Sequence, residues 1–368
     1  IKVMKVICNK SEFQKGMSAV IKAAQTRAQK SILEAILFTA EANTLTMNAC
    51  DSVTAIETAI FSDVEEEGVC ALPAKLLFEI VNKMPDGEIK IETTDHNSAN
   101  ISCKNSSIKL SEMDAAQFPH FPEEEGTQID MKLGELWQMV DSTAFSVYQK
   151  DDKPILKGLL FELDGDYLNV VGTNSLILAK RSEKRFSSEQ VSAVIPARTL
   201  KDCMRILGDE EDQQIKVIVN RNSCFFISQS TKIYTRLLEG EFVKYTNIIP
   251  KEYVTRVRVN TKMLESSLNM ISVLSREDET NPVKMTVSGE SIELESRSEY
   301  GDGKDVIYAN VEGDAMKMSF NARFLLDILK SIDDEEIFIE FMSSLRPLVI
   351  KPIEGDDFLY LMAAIGNR

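Results

Sequence analysis

Histidine is nearly absent, with only His96 and His120, and there is a single tryptophan. Two imidazoles beside loop-forming residues make a zinc site improbable and leave little from which to build a Ser-His-Asp triad. No G-x-S-x-G, Walker or G-x-G-x-x-G pattern occurs, so the common nucleophile and phosphate-cradling loops are missing. The six cysteines, Cys8, Cys50, Cys70, Cys103, Cys203 and Cys224, form no C-x-x-C pair. Four lie in alternating apolar runs, which predicts reduced core thiols in a cytosolic protein rather than disulfides or metal ligands. No uncharged apolar stretch approaches the roughly 18 residues of a membrane span. The N-terminus shows no basic segment followed by an apolar run, so no secretory signal is expected. A cytoplasmic protein without metal, cofactor or membrane partner is the expectation.

What the chain has instead is repetition. Its 368 residues are too many for one ordinary core and suggest two or three domains. Three segments open alike, with an alternating strand running into a helix of 3.6-residue period. They are VMKVICNKSEFQKGMSAVIKAAQTRAQK from Val3, QIDMKLGELWQMVDSTAFSVYQK from Gln128 and TRVRVNTKMLESSLNMISVLSR from Thr255. Each is followed by a hairpin-like passage turning at Ala42-Asn43, Asp164-Gly165-Asp166 or Ser288-Gly289-Glu290. The second halves also match, each with a strand and then a helix opening at Pro73, Pro196 or Asn321. Proline suits a helix's first turn because its missing N–H has no partner there, and asparagine supplies a capping oxygen. The chain therefore reads as α+β, three units of two β-α-β-β-β halves, divided at 1–125, 126–250 and 251–368.

Charge follows the same division. The net charge is −16, yet the six helix-bearing stretches are together net positive, so the remainder is more acidic still. Positive helices on a negative sheet shell suggest one surface for a polyanion and another that repels it.

Four passages carry a resemblance to the bacterial sliding clamps, the beta subunits of DNA polymerase III, over essentially the whole chain. PILKGLLFELDGDYLNVVGTNSLILAKRS resembles the second-domain hairpin, and LLEGEFVKYTNIIP resembles the G-x-F-P-x-Y-x-x-x-x-P turn that ends that domain. FNARFLLDIL resembles the third-domain helix and DDFLYLMAAI the C-terminal strand. The chain departs from the family pattern at Asn174 (commonly Asp), Ile177 (commonly Arg), Val243 (commonly Pro) and Ala363-Ala364-Ile365-Gly366 (a Pro-x-Arg-like ending).

The resemblance implies a non-catalytic, head-to-tail homodimeric ring of three repeated clamp domains per subunit, encircling duplex DNA without reading its sequence. It implies as partners the replicative polymerase catalytic subunit, a clamp loader and other proteins bearing clamp-binding peptides. Matching interface positions are Ile108 and Leu110 in the first domain and Val273 and Leu274 in the third. Matching phosphate contacts are Arg27 and Lys150, then Lys153, Arg198, Lys201 and Arg205. The matching peptide groove comprises Leu156, Thr173, Ser175, Leu176, Ile177, Leu178, Val243 and Ile248 of the second domain. From the third come Asn321, Phe324, Leu345, Leu361, Ala363, Ala364 and Ile365. An apolar groove with few polar groups suits a short peptide with Leu or Phe anchors. Two other readings remain open at this point: a metal-dependent nucleic-acid enzyme using Asp151-Asp152 or Asp333-Asp334, and an acidic scaffold with no DNA role.

Overall fold

Six times among the described residues a strand runs into a helix and then into three antiparallel strands. The computed structural model describes residues 3–24, 31–94, 96–187, 189–275 and 282–365. The first module is Lys5–Asn9, helix α1 (Lys10–Val20), Ala35–Glu41, Thr44–Cys50 and Thr54–Phe61; the second is Gly68–Pro73, α2 (Ala74–Lys83), Glu88–Thr94, Ser98–Cys103 and Ser106–Ser111. The third is Thr127–Lys132, α3 (Leu133–Asp141), Gly158–Asp164, Tyr167–Thr173 and Ile177–Lys184; the fourth is Val191–Pro196, α4 (Ala197–Leu207), Gln214–Val219, Ser223–Ile227 and Thr231–Arg236. The fifth is Thr255–Asn260, α5 (Thr261–Ile271), Pro282–Ser288, Ser291–Ser298 and Gly301–Tyr308; the sixth is Met316–Asn321, α6 (Ala322–Lys330), Glu336–Phe341, Leu348–Pro352 and Phe358–Met362. Two short strands, Asp63–Glu66 and Asn310–Gly313, complete the set.

The turns explain the regularity of the hairpins. Ala42 and Asn43 both have positive φ, 46° and 67°, as a two-residue turn matched to strand twist requires. Gly165 and Gly289 take φ of 63° and 60° at the equivalent turns. The helices start one residue later than the prolines predict. Pro73 is the last residue of its strand and precedes α2 without a side-chain cap, and Pro196 likewise ends a strand. Its fixed φ serves the extended residue before the helix as well as the first helical one. Asn321 caps α6 as expected, its side chain accepting from the Arg323 N–H at 3.0 Å.

Two helices are shorter than their sequence period suggests. The predicted first helical stretch continues to Lys30, but α1 ends at Val20, and residues 25–30 lie outside the described residues. After α3 the Ser142 and Thr143 hydroxyls donate back to the Gln138 and Met139 carbonyls, both at 2.6 Å. Such back-bonding competes with helix continuation. Lys150 therefore sits in a loop and not on a helix.

The chain folds as two compact units that cut across the repeats. Ile1–Leu136 with Arg198–Leu237 holds a five-stranded and an eight-stranded sheet. In the larger sheet, Thr231–Arg236 pairs with Thr54–Phe61, joining the fourth module to the first. Trp137–Ala197 with Leu238–Arg368 holds a nine-stranded and a four-stranded sheet. There Ile177–Lys184 pairs with Phe358–Met362, joining the third module to the sixth.

Helices α1, α2, α5 and α6 pack on strands of these sheets through buried, mainly apolar residues. In α6, Ala322, Leu325, Leu326, Ile328 and Leu329 are buried, and the larger of these contribute roughly 1.5–3 kcal/mol each. All six cysteines are buried and unpaired, and burial pushes the Cys8 thiol up to about 12.

Candidate peptide groove, cationic cleft and edge strands

In the second unit, alternate residues of Ile177–Lys184 go to opposite faces, as the strand period requires. Ile177 and Ala179 enter the main core with Val257, Leu268 and Tyr360. Leu178 enters a second, smaller cluster with Leu160, Val171, Val194, Tyr245, Val349 and Leu361. The expected groove residues therefore separate into layers. Leu178 and Leu361, 2% and 4% exposed, form a floor. Val243 and Ile248, 45% and 54% exposed, stand on the segment that covers it. Leu156 and Ile177 are core residues, and Leu345 is exposed on the turn before Leu348–Pro352.

The polar rim is a tight turn. Thr173 Oγ1 donates to the Ile177 carbonyl at 2.7 Å and accepts from the Ser175 N–H at 3.1 Å. Ser175 takes φ 77°, a left-handed conformation held by the bonds on both sides. Asn174 Oδ1 accepts the Leu176 and Ile177 N–H groups, both at 2.9 Å. A neutral amide therefore does the capping that the family's aspartate would do, and no charge is needed for the turn. The departure at Ile177 has an equally local reason: the side chain is interior, where a guanidinium would need a buried partner.

The C-terminal segment closes this rim. The Ala363 N–H donates to the Leu176 carbonyl at 2.8 Å, and the Ile365 N–H to the Ser319 carbonyl at 2.7 Å. Ala364 and Phe324 pack, half-buried, on the main core, and Phe324 stands on the first turn of the helix that Asn321 caps.

The predicted phosphate contacts fall in different places. Arg198, Lys201 and Arg205 are exposed on one face of α4, opposite buried Leu200, Cys203 and Leu207. Arg205 also lines an open cleft of about 620 Å³ in the first unit. Sequence reasoning missed most of that cleft. Ser11, Gln14, Lys15, Ser18 and Lys22 line it from α1 and the turn after it, spaced as a helical stripe, with Asn82 from α2. That polar stripe is visible in the sequence at i, i+3, i+4, i+7 and i+11. The family pattern points instead to Arg27, which lies outside the described residues.

Lys150 and Lys153 are exposed in the second unit. Lys153 Nζ lies 3.5 Å from Ser175 Oγ and 5.5 Å from the centre of the Tyr148 ring. The neighbouring acidic doublet is engaged with side chains. Asp151 pairs with Lys157 at 2.5 Å, which holds its carboxyl below the usual range, and Asp152 accepts from the Tyr148 hydroxyl at 3.3 Å.

The interface positions lie on or beside edge strands. Ser106–Ser111 is an edge of the five-stranded sheet and carries Ile108, partly exposed, and Leu110, buried. Gly301–Tyr308 is an edge of the four-stranded sheet and exposes Val306 and Tyr308. Beside it, Val273 is 54% exposed. Leu274 packs onto Gly303, where an added Cβ would come within 2.7 Å of Leu274 Cδ1. No helix among the described residues is long and apolar enough to cross a membrane.

The repeats match known proteins domain by domain. Residues 4–122 match the DNA polymerase III beta subunit N-terminal domain, 130–244 its central domain and 246–365 its C-terminal domain. A beta sliding clamp of Halalkalibacterium halodurans is 30% identical over 380 residues, covering 98% of this chain and 99% of its own. One of Staphylococcus epidermidis is 28% identical over 377 residues, covering 99% of each. The crystal structure of a DNA polymerase sliding clamp from Bacillus subtilis aligns with a TM-score of 0.94 at 27% identity, covering 99% of this chain and 100% of that one. With three domain matches in order and full-length relatives at 27–30% identity, this chain belongs to the DNA polymerase III beta subunit family, the non-catalytic bacterial sliding clamps.

Proposed function

We propose that this chain closes head to tail with a second copy into a ring around duplex DNA in the cytoplasm. There it tethers the replicative polymerase and other proteins that carry clamp-binding peptides, and a clamp loader opens it. The observation that carries this reading is the sixfold β-α-β-β-β repetition, matched end to end to the clamp family. The proposed domains are 1–125, 126–250 and 251–368.

Two further features support it. Among the described residues, the edge strands Ser106–Ser111 and Gly301–Tyr308 have no neighbouring strand on one side, where their backbone donors and acceptors are left for another partner. A head-to-tail contact between copies covers both and closes after two subunits. Ile108, Leu110, Val273 and Leu274 are the proposed contacts. Lys15, Lys22, Arg198, Lys201 and Arg205, with Arg27, Lys150 and Lys153, are the proposed phosphate contacts, made by charge and not by base reading.

The peptide site is proposed on the layered cluster, its anchor entering between Val243, Ile248 and the Thr173–Leu176 turn above Leu178 and Leu361. Calorimetry with a synthetic Gln-Ala-Ala-Leu-Phe peptide tests it. Val243→Asp places a carboxylate at the anchor and abolishes binding, while light scattering still gives a dimer. Equal affinity for wild type and variant places the site elsewhere.

A further inference from the structure

The segment that covers the groove floor sends one buried polar side chain, Tyr245, back to the sheet. Tyr245 is buried between the exposed Val243 and Ile248 of that segment, and it belongs to the same cluster as Leu178 and Leu361. Its N–H donates to the Val243 carbonyl at 2.7 Å, and its own carbonyl accepts the Ile248 N–H at 3.1 Å. Its hydroxyl donates to Glu162 Oε2 at 2.5 Å. Glu162 stands on Gly158–Asp164, two strands from the one that bears Leu178. Burial, followed by this bond to a carboxylate, raises the tyrosine's pKa, so the hydroxyl keeps its proton and remains the donor.

We infer that the Tyr245–Glu162 bond is a positioning tether, fixing Val243 and Ile248 at the height above Leu178 and Leu361 that a peptide anchor needs. The inference rests on the peptide-groove reading and adds residues to which that reading gives no role. Hydrogen bonds to charged groups are among the stronger ones, and this one joins the covering segment to the rigid sheet. At its start the segment is also bonded to the sheet by the Leu238 N–H, which donates to the Val194 carbonyl at 2.8 Å, and its side-chain packing on the cluster, from Leu238, Phe242 and Ile249, is apolar and non-directional. Without the hydroxyl the segment keeps its own turn and still covers the sheet, but among the described residues no side-chain hydrogen bond then joins the Val243–Ile248 turn to the sheet. Affinity then falls because part of the binding energy goes into ordering the wall.

The test uses the full-length protein and the Gln-Ala-Ala-Leu-Phe peptide, followed by calorimetry. Tyr245→Phe keeps the ring and removes only the bond, and weakens binding roughly tenfold, the equivalent of 1.4 kcal/mol. Glu162→Ala loses a similar factor, and the double variant loses no more than either single one. Glu162→Gln, which keeps an oxygen acceptor, recovers most of what Glu162→Ala loses. Amide hydrogen exchange at Tyr245 and Ile248 quickens in the weakened variants and not in Glu162→Gln. If Tyr245→Phe binds as wild type while Val243→Asp abolishes binding, the tether inference is overturned and the groove stands. If Val243→Asp also binds normally, the groove reading fails and takes the tether with it. Additive losses in the double variant likewise overturn the tether, since they show two independent effects.

Discussion

Leu178 lies directly opposite Leu361 across the pairing of Ile177–Lys184 with Phe358–Met362. The pair joins a strand of the second repeat to the last strand of the third, so this floor exists only when both have folded onto each other. Leu361→Ala removes packing from a buried, doubly flanked position and costs about 2–5 kcal/mol of stability. Denaturant unfolding checks this. A midpoint unchanged from wild type would mean the cluster is not well packed.

The interface prediction turns on which of two neighbouring residues is substituted. Leu274 packs on Gly303 within its own unit, so a charge there disturbs the fold as well as any contact. Val273 is exposed in the single chain. Val273→Glu should leave the melting temperature of the isolated subunit nearly unchanged, yet bury an unpaired carboxylate on association. Light scattering should show a monomer at concentrations where wild type is a dimer; a dimer of unchanged affinity removes Val273 from the contact.

Charge reversal in the first unit addresses DNA. Lys15→Glu, Lys22→Glu and Arg205→Glu line one cleft and lie away from the groove residues in sequence. Direct binding to short duplex DNA at low salt should weaken for each. The slope of log affinity against log salt should fall by about 0.9 for every phosphate that is no longer neutralised. An unchanged slope in the triple variant would show that phosphates do not sit in this cleft.

A fourth expectation concerns pH. Glu112 has a half-buried carboxyl with Oε1 lacking a hydrogen-bond partner among the described residues, and burial raises its pKa above the ordinary 4.5. The folded state therefore holds this proton more tightly than the unfolded chain does. Stability from this group is full below pH 4.5 and is lost as pH rises through the raised value. Glu112→Gln should accordingly raise the melting temperature at pH 7, with the gain shrinking as pH falls towards 4. A gain independent of pH would mean that ionisation at Glu112 is not the cause.

The repeats were legible because strand alternation, hairpin turns and helix openings recur in the same order. Ala42-Asn43, Gly165 and Gly289 mark turns by chemistry that any single repeat displays. The two compact units were not legible, because pairing of Thr231–Arg236 with Thr54–Phe61 depends on which sheet edges meet, and each strand alone reads the same wherever it pairs. In the groove, the family resemblance pointed to Leu178, Ile177, Val243 and Ile248 together. Only the register separates Leu178 as floor and Ile177 as main core from the exposed pair. Tyr245 was visible as a motif residue, but its partner Glu162 lies 83 positions away and carries no local signal.

The central claim is that the chain holds DNA by enclosing it, and retention on circular DNA measures this most directly. The protein is loaded on nicked circular duplex, salt is raised until direct binding to short duplex is abolished, and half the sample is linearised with a single-cutting nuclease. Enclosure predicts that protein stays with the circles and leaves the linear molecules by sliding off their ends. Equal loss from both forms would contradict it, because charge contacts alone do not distinguish a circle from a line.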